Sequence, residues 1–302
     1  MLHGDPAFFT LEHYENSKGT APAPLCELVV HCLELVSQLS ASGLAFRFKG
    51  GNSLLILLED PRRFSIDVDI VTTVSKETLS GIVEQVTESC PRFTGLEIRP
   101  HKTKPWLPMI SYNIRFDSVY GGEACVMLDA VLEEPPYPGI RKQVRCGTLY
   151  HSAQTVEVPS LSGLTADKFL TLGPATLGIP LDKGKDAQRL KHVFDVALLL
   201  RENHDPQAVR GHLEACLAQE NSLQKSGYTL PEVVADTLRF LTAPQGSTGP
   251  EAALAGGAQD PYLREIATGF EKFRGHLFRQ LYTWDDLKAD CALIAGLCGE
   301  LA

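Results

Sequence analysis

Two aspartates in the segment DVDIV have the type and spacing that metal chemistry needs. Polar and apolar residues alternate there, so the segment predicts a strand in which Asp67 and Asp69 project from one side while the apolar residues face a core. Two carboxylates held together on a rigid strand repel each other, and a bound Mg²⁺ or Mn²⁺ removes that cost. The spacing therefore predicts a divalent-metal site.

A double-glycine turn precedes this strand and suits phosphate binding. The run FRFKG predicts a short strand, Gly50 and Gly51 are free to adopt positive φ, and SLLILLED predicts a helix that starts at the turn. Backbone N–H groups at such a helix start point at an anion, and Ser53 adds a hydroxyl donor. We therefore expect a phosphate cradle beside the metal site.

Together these residues resemble the signature of the DNA polymerase β-like nucleotidyltransferase superfamily, and most closely that of abortive-infection toxins of the AbiEii type. Members of that family typically contain K-G-G-T/S-x-L and then R-F-S-x-D-x-D. The chain matches at Lys49, Gly50, Gly51, Ser53 and Leu54, and again at Arg63, Phe64, Ser65, Asp67 and Asp69, with Asn52 as a local variation. The resemblance implies that Asp67 and Asp69 are catalytic metal ligands, and that the nucleotide is bound by Lys49, Gly50, Gly51, Ser53 and Arg63.

Each of these residues has a simpler explanation when it is taken alone. Gly-Gly is first of all a turn signal, aspartates are common where strands end at sheet edges, and Arg63 could be a surface residue paired with Glu59. The glycine turn, the R-F-S lead-in and the D-x-D at this spacing favour the site as a set.

The resemblance also points to a second cluster further along the chain. In the family, a lysine on a helix after the sheet contacts the nucleotide phosphates, and an acidic residue on the following helix supports the site. Lys168 matches that lysine, and Asp195 is the candidate for the acidic residue, with Asp186 in reserve. The usual Arg/Lys-Asp pair that opens the second helix is replaced here by Lys191-His192. Taken alone, Lys168 is typical of a solvated helix lysine.

Asp129 is the candidate for a third metal ligand. It lies inside the apolar run CVMLDAVLEE, which predicts a strand, and a charged residue there needs a partner or a metal. Sites of the resembled superfamily often add a third carboxylate from a neighbouring strand. Capping of Asp129 by hydrogen bonds at the edge of the sheet is the alternative.

The chemistry that these groups imply is nucleotidyl transfer. One metal would lower the pKa of an attacking hydroxyl, and a second would bridge the triphosphate and neutralise charge on the pyrophosphate leaving group. Catalysis would then be mostly positioning and electrostatics, with Lys168 and the turn amides holding the phosphates. No histidine or cysteine nucleophile is required.

Composition permits this function and excludes little. The chain of 302 residues is 44% hydrophobic, which is enough for a sizeable core. Neither a signal peptide nor an apolar run long enough to span a membrane is evident, so a soluble cytoplasmic protein without a membrane partner is expected. Eight cysteines show no C-x-x-C pairing or zinc-ligand spacing, so most should be reduced and those in apolar helices buried.

The net charge of −9 argues against nucleic-acid binding by the whole surface and leaves only local basic patches. One patch surrounds the KPWLP segment, where the stacking face of Trp106 is flanked by His101, Lys102 and Lys104. Another is the helix YLREIATGFEKFRGHLFRQLY, with Arg264, Lys272, Arg274, His276 and Arg279. The alternative for this helix is an amphipathic element whose charged side is solvated.

Periodicity predicts an α/β (α+β) architecture, a polymerase β-like lobe with a mixed sheet over residues 1–158 and an α-helical lobe over 159–302. Helices are expected over 24–42, 76–88, 162–172, 187–202, 206–218, 230–242, 261–282 and 284–300, and strands near 94–100, 109–117 and 123–132. The small, Gly/Pro-rich segment 243–259 predicts a flexible loop or linker. The active site is expected in a cleft between the lobes.

Three functions remain open at this stage. The resemblance favours a toxin of a toxin-antitoxin system that transfers a nucleoside monophosphate from an NTP to a macromolecular acceptor, with a tRNA end as the favoured acceptor and a cognate antitoxin as a partner. The second is a related transferase that modifies a protein or a small molecule such as an antibiotic. The third is a nucleotide-binding or interaction module that has lost its activity, against which Asp67, Asp69 and Lys168 argue.

Overall fold

The computed structural model describes residues 1–59, 62–99, 106–255, 260–277 and 281–301. The chain forms two compact units, of which the first contains Met1–Pro159 and Leu277, and the second contains Ser160–His276 and residues 281–301. The predicted α/β class with a mixed sheet and many helices is confirmed. Among the described helices, none is both long and apolar enough to cross a membrane.

The first unit is built on one mixed sheet. Its described strands are β1 (Arg47–Lys49), β2 (Asp67–Val71), β3 (Gly95–Arg99), β4 (Met109–Asp117), β5 (Glu123–Val131), β6 (Gly139–Cys146) and β7 (Tyr150–Pro159). They lie in the order β3-β4-β5-β2-β1-β7-β6, with β2 parallel to β5, β1 parallel to β7 and the other pairs antiparallel. Within the described residues, β3 and β6 are therefore the edge strands.

One face of this sheet is covered by helices and contributes to the core of the unit. The helices of the unit are α1 (Leu11–Ser17), α2 (Ala23–Ala41), α3 (Leu54–Leu57) and α4 (Lys76–Ser89). Helix α2 packs on the sheet and is buried along most of its length. The alternation predicted for DVDIV is confirmed, because Val68 and Ile70 are fully buried while Asp67 and Asp69 lie on the opposite, half-exposed face.

The helix predicted after the glycine turn is much shorter than expected. Helix α3 ends at Leu57, and Leu58 is already extended. All four residues of α3 are buried, and the helix packs against β6, so a single turn suffices to bury the apolar run.

The second unit is helical. Its described helices are α5 (Leu161–Phe169), α6 (Asp186–Glu202), α7 (Pro206–Gln224), α8 (Leu230–Thr242), α9 (Pro250–Ala255), α10 (Pro261–Arg274) and α11 (Trp284–Leu301). The helices predicted from periodicity are present, although α10 ends at Arg274 rather than at position 282. Aromatic rings of Phe194, Phe273 and Tyr282 meet at centroid distances of 5.3–5.7 Å in the core of this unit.

The prediction of a flexible linker over 243–259 is wrong for the residues that can be described. A 3₁₀ turn covers Ala243–Gly246, helix α9 follows, and Pro244 and Ala253 are buried. The indole Nε1 of Trp284 donates a hydrogen bond to the Ser247 carbonyl at 3.1 Å. The described part of this segment therefore has regular structure although most of its residues are not buried, and residues 256–259 lie outside the described part of the chain.

Candidate functional site

Three predicted site residues form one row across the sheet. Lys49 on β1 is in register with Asp69 on β2, and Asp69 is in register with Asp129 on β5. Partners in register project from the same face, and neighbouring strands lie about 4.8 Å apart. Asp67 precedes Asp69 by one side-chain repeat on the same face, so the sheet holds a cation and three carboxylates on its half-exposed side.

Asp129 does not lie at an edge of the sheet, so the alternative of edge capping is wrong. Strand β5 has β2 on one side and β4 on the other, with Asp129 opposite Ser111 of β4. One carboxylate oxygen of Asp129 is buried and has no hydrogen-bond partner. A carboxylate in this state is suited to a cation.

The donor set fits a hard divalent cation, because carboxylate oxygens are the ligands that Mg²⁺ prefers. Within the described ranges, no group of three His, Cys, Asp or Glu side chains is placed so that it could hold a metal ion by itself. Asp67, Asp69 and Asp129 would therefore hold a cation together with groups that the substrate or water supplies, as is usual for Mg²⁺ at phosphate sites.

The glycine turn lies directly against this row. Gly50 has a φ of +73°, and a Cβ at this position would overlap the Asp69 carboxylate. Both the backbone conformation and the close approach require glycine here. The expectation that Gly51 also adopts positive φ is wrong, and its constraint is space: a Cβ there would lie 2.6 Å from Arg63 Nη2 and 2.7 Å from Ser65 Oγ.

Two residues assigned to nucleotide binding are engaged within the first unit. Ser53 is fully buried, and its hydroxyl donates a hydrogen bond to the Gly50 carbonyl at 2.9 Å. The hydroxyl that was expected to donate to a phosphate therefore stabilises the turn instead. Arg63 is buried rather than exposed, so its interpretation as a surface residue is wrong. Its Nη1 donates to the Phe64 carbonyl at 3.1 Å, and its backbone forms an isolated bridge with Leu277.

A cysteine that the motif does not contain lies beneath the aspartates. Cys32 of α2 donates a hydrogen bond from Sγ to the Ile66 carbonyl at 3.2 Å, just before β2 begins. Burial, with the nearby Asp67 charge as the next cause, raises the pKa of the Cys32 thiol well above its ordinary value. The thiol therefore stays protonated, and its hydrogen bond fixes the backbone just before β2.

The second unit holds Lys168 and Asp195 together. Ser160 caps α5 by accepting the Gly163 N–H at 3.1 Å, and Lys168 lies in the last turn of that helix. Its Nζ lies 2.7 Å from Oδ2 of Asp195 on α6, and the two side chains are only 4% and 0% exposed. The interpretation of Lys168 as a solvated lysine is wrong.

Asp186 takes a different partner. It lies at the start of α6 and faces Lys272 of α10, with 3.6 Å between Oδ2 and Nζ. Asp195 rather than Asp186 is therefore the carboxylate that holds the lysine. An ammonium group has three donors, so one bond to Asp195 leaves two for other acceptors.

Comparison with known proteins identifies the chain. The model of the family described as nucleotidyl transferase AbiEii toxin, type IV toxin-antitoxin system, matches residues 34–286. The chain belongs to the AbiEii family. The matched region contains every site residue predicted from the sequence, and the predicted resemblance and enzyme class are confirmed.

The fold of this AbiEii nucleotidyltransferase is supported by one solved structure with a TM-score above 0.5. It is similar to MenT4, a nucleotidyltransferase toxin from Mycobacterium tuberculosis H37Rv, with a TM-score of 0.54 and 15% identity over 96% of this chain and 97% of that one. An antigenic nucleotidyltransferase-like protein from Paracoccidioides brasiliensis aligns with a TM-score of 0.40 and 17% identity over 70% of this chain and 92% of that one. No relative was found among curated proteins.

Proposed function

We propose that this AbiEii toxin transfers a nucleoside monophosphate from an NTP to the end of a tRNA and releases pyrophosphate. The proposal rests chiefly on one observation: Asp69 lies in register between Lys49 and Asp129, and the Gly50 turn lies against its carboxylate. A phosphate-binding turn beside a row of carboxylates is what an NTP with its divalent cation requires.

The groups of the sheet would act by position and charge. Asp67, Asp69 and Asp129 would hold Mg²⁺ or Mn²⁺, and Lys49 in the same row would offset phosphate charge. The bound cations would lower the pKa of the attacking hydroxyl and neutralise the departing pyrophosphate. The hydroxyl oxygen bonds to the α-phosphorus as the bond to the β-phosphate oxygen breaks, and the hydroxyl proton passes to solvent.

Lys168 would supply further positive charge to the triphosphate. Its bond to Asp195 fixes the position of Nζ, because a lysine with four rotatable carbons would otherwise sample many positions. Preorganised charge of this kind stabilises a transition state without reorganisation at the moment of reaction. Asp195 is then a positioning residue that acts through Lys168.

The cellular location and the protein partner that we propose follow from the substrates and from the family. An enzyme that uses NTPs and tRNA would act in the cytoplasm, where both are found. A type IV toxin has a cognate antitoxin, which we expect to counteract this transfer.

A labelling experiment tests the acceptor. The purified protein is incubated with total RNA, with a protein extract, and with each α-labelled NTP in turn, in the presence of Mg²⁺ or Mn²⁺. We expect one nucleotide to label a band of tRNA size, and EDTA or Asp69→Asn to remove that label. A label that appears only on protein would replace tRNA by a protein acceptor, and the absence of any label would contradict the transferase proposal.

A further inference from the structure

Edge strand β6 carries a concentration of positive charge that the sequence motifs did not indicate. Arg141, Lys142 and Arg145 are all exposed, and the strand contains no acidic residue. No carboxylate of the described residues forms an ion pair with any of the three. Glu157, which is in register with Arg141, is already paired with Arg47 at 3.2 Å.

The other basic segments of the chain differ from β6 in this respect. On α10, Arg264 pairs with Asp182, Lys272 with Asp186 and Arg274 with Glu271. The basic residues predicted beside Trp106 lie outside the described residues. In a chain of net charge −9, three cations on one strand without a carboxylate partner are therefore a local exception.

Strand β6 presents Arg141 and Arg145 on the same face as the aspartate row, whereas Lys142 projects from the opposite face of this edge strand. Arg141 is in register with Glu157, Glu157 with Arg47, and Arg47 with Val71, which lies one side-chain repeat from Asp69. Arg145, in register with His151, continues along that face beyond an irregularity in the strand. From β2 to β6 there are three strand spacings, and Val71 lies one side-chain repeat from Asp69. Together these put the backbone of Arg141 about 16 Å from that of Asp69. A strand of stacked nucleotides with a phosphate every ~3.4 Å spans this distance with about five phosphates.

The Arg141 end of β6 also borders a recess. A cavity of about 560 Å³ is lined by Arg47, Arg141, Gln154 and Thr155, among other residues. Its volume is in the range of sites that hold small ligands, and its walls offer hydrogen-bond donors. A nucleotide that passes Arg141 therefore has room beside the sheet.

We propose that Arg141 and Arg145, with Lys142 adding charge from the other side of the same exposed edge, form a track that binds the phosphodiester backbone of the RNA acceptor. The proposal rests on the proposed function, in which the acceptor is RNA, and adds the surface that orients it. Phosphate contacts of this kind position a nucleic acid without reading its sequence, and they make binding depend on salt. The track would lead the acceptor end over the sheet face that carries Asp69.

The test reverses the charge of the track. In the variant Arg141→Glu/Lys142→Glu/Arg145→Glu the edge stays charged, so it remains protected against pairing with other strands. Binding of fluorescent bulk tRNA is measured by anisotropy over a series of salt concentrations, together with nucleotide transfer to tRNA and with NTP affinity. The matched control, Arg264→Glu/Arg274→Glu/Lys288→Glu, makes the same change of net charge at three cations that are already paired with carboxylates.

We expect the track variant to bind tRNA at least tenfold more weakly and to keep its NTP affinity. The plot of log affinity against log salt concentration should become less steep, with a slope smaller in magnitude by about 2. The control should resemble the parent. Equal tRNA affinity and equal salt slope in the parent and the track variant would overturn the track and leave edge protection as the role of these cations. A parent that binds tRNA through the track without labelling it would contradict the proposed function and not the track.

Discussion

Lys168 and Asp195 form a buried ion pair between consecutive helices, with Nζ and Oδ2 2.7 Å apart and neither side chain more than 4% exposed. The pair changes how a lysine substitution must be interpreted. Removal of one member leaves the other charge buried without its counter-ion, which is far more costly than a change at the surface. Loss of activity in a single variant would thus mix catalysis with folding.

Paired substitutions separate the two effects. We expect Lys168→Met to lower the free energy of unfolding by about 3–5 kcal/mol, and Lys168→Met/Asp195→Leu to recover most of this loss, because the buried carboxylate is removed together with the lysine. If Lys168 neutralises triphosphate charge, both variants should transfer at least ~100-fold more slowly than the parent. Urea unfolding and labelled-NTP transfer measure the two quantities. A double variant that regains normal transfer would assign the pair to stability alone.

The aspartates of β2 should be needed for chemistry and not for folding. Asp67→Asn and Asp69→Asn each remove a ligand charge with almost no change of volume, so we expect transfer to fall by ~100-fold or more while the melting temperature stays near that of the parent. Titration with Mn²⁺ should show weaker metal binding in both. Asp117→Asn, an exposed residue at the end of β4, is the control on the same sheet and should keep both properties. Substantial activity in both β2 variants would remove the metal assignment.

The sequence predicted best what local patterns determine. Alternation in DVDIV placed Asp67 and Asp69 on one face, and the helical periods of the second unit matched its helices because each buries a continuous apolar stripe. Strand β6 carries charge on both faces because an edge strand needs little burial, so it gives no alternating signal. The strand was missed for that reason.

The sequence also did not predict contacts between residues that lie far apart in the chain. Lys168 is buried in an ion pair with Asp195 from another helix, and Leu277 belongs to the first unit, where it contacts Arg63 and Thr20. Neither follows from residue type or spacing, since both are set by tertiary packing. The same packing explains why Ser53 donates its hydroxyl to the turn.

His31 should make the stability of the first unit depend on pH. The ring stacks on Phe116 at a centroid distance of 3.8 Å, and Nδ1 donates to the Glu27 carbonyl at 2.8 Å. Burial, against the effect of that hydrogen bond, lowers the pKa of His31 from 6.5 to about 4. Between these two values the unfolded chain binds the proton and the folded chain does not, so stability should fall as pH is lowered from 6.5 to 4, by at most on the order of 3 kcal/mol.

Urea midpoints measured from pH 4 to 7 test this expectation. His31→Gln should lose the part of the pH dependence that His31 contributes, whatever its stability at neutral pH. Identical slopes in the parent and in His31→Gln would show that the folded protein accepts a proton at His31 without cost.

Gly50 should be the least replaceable residue of the turn. Gly50→Ala must adopt a φ of +73° and must also displace the Asp69 carboxylate, whereas Gly121→Ala must adopt a φ of +96° in open space. The matched pair isolates the overlap, because positive φ alone costs on the order of 1 kcal/mol for alanine. We expect Gly121→Ala to lose about that amount and to keep its transfer activity. Gly50→Ala should lose more stability, and its affinity for NTP with Mg²⁺, measured by calorimetry, should fall at least tenfold. If the two alanine variants bind NTP equally well, the turn does not hold the phosphates, and the approach of Gly50 to Asp69 serves only the packing of the sheet.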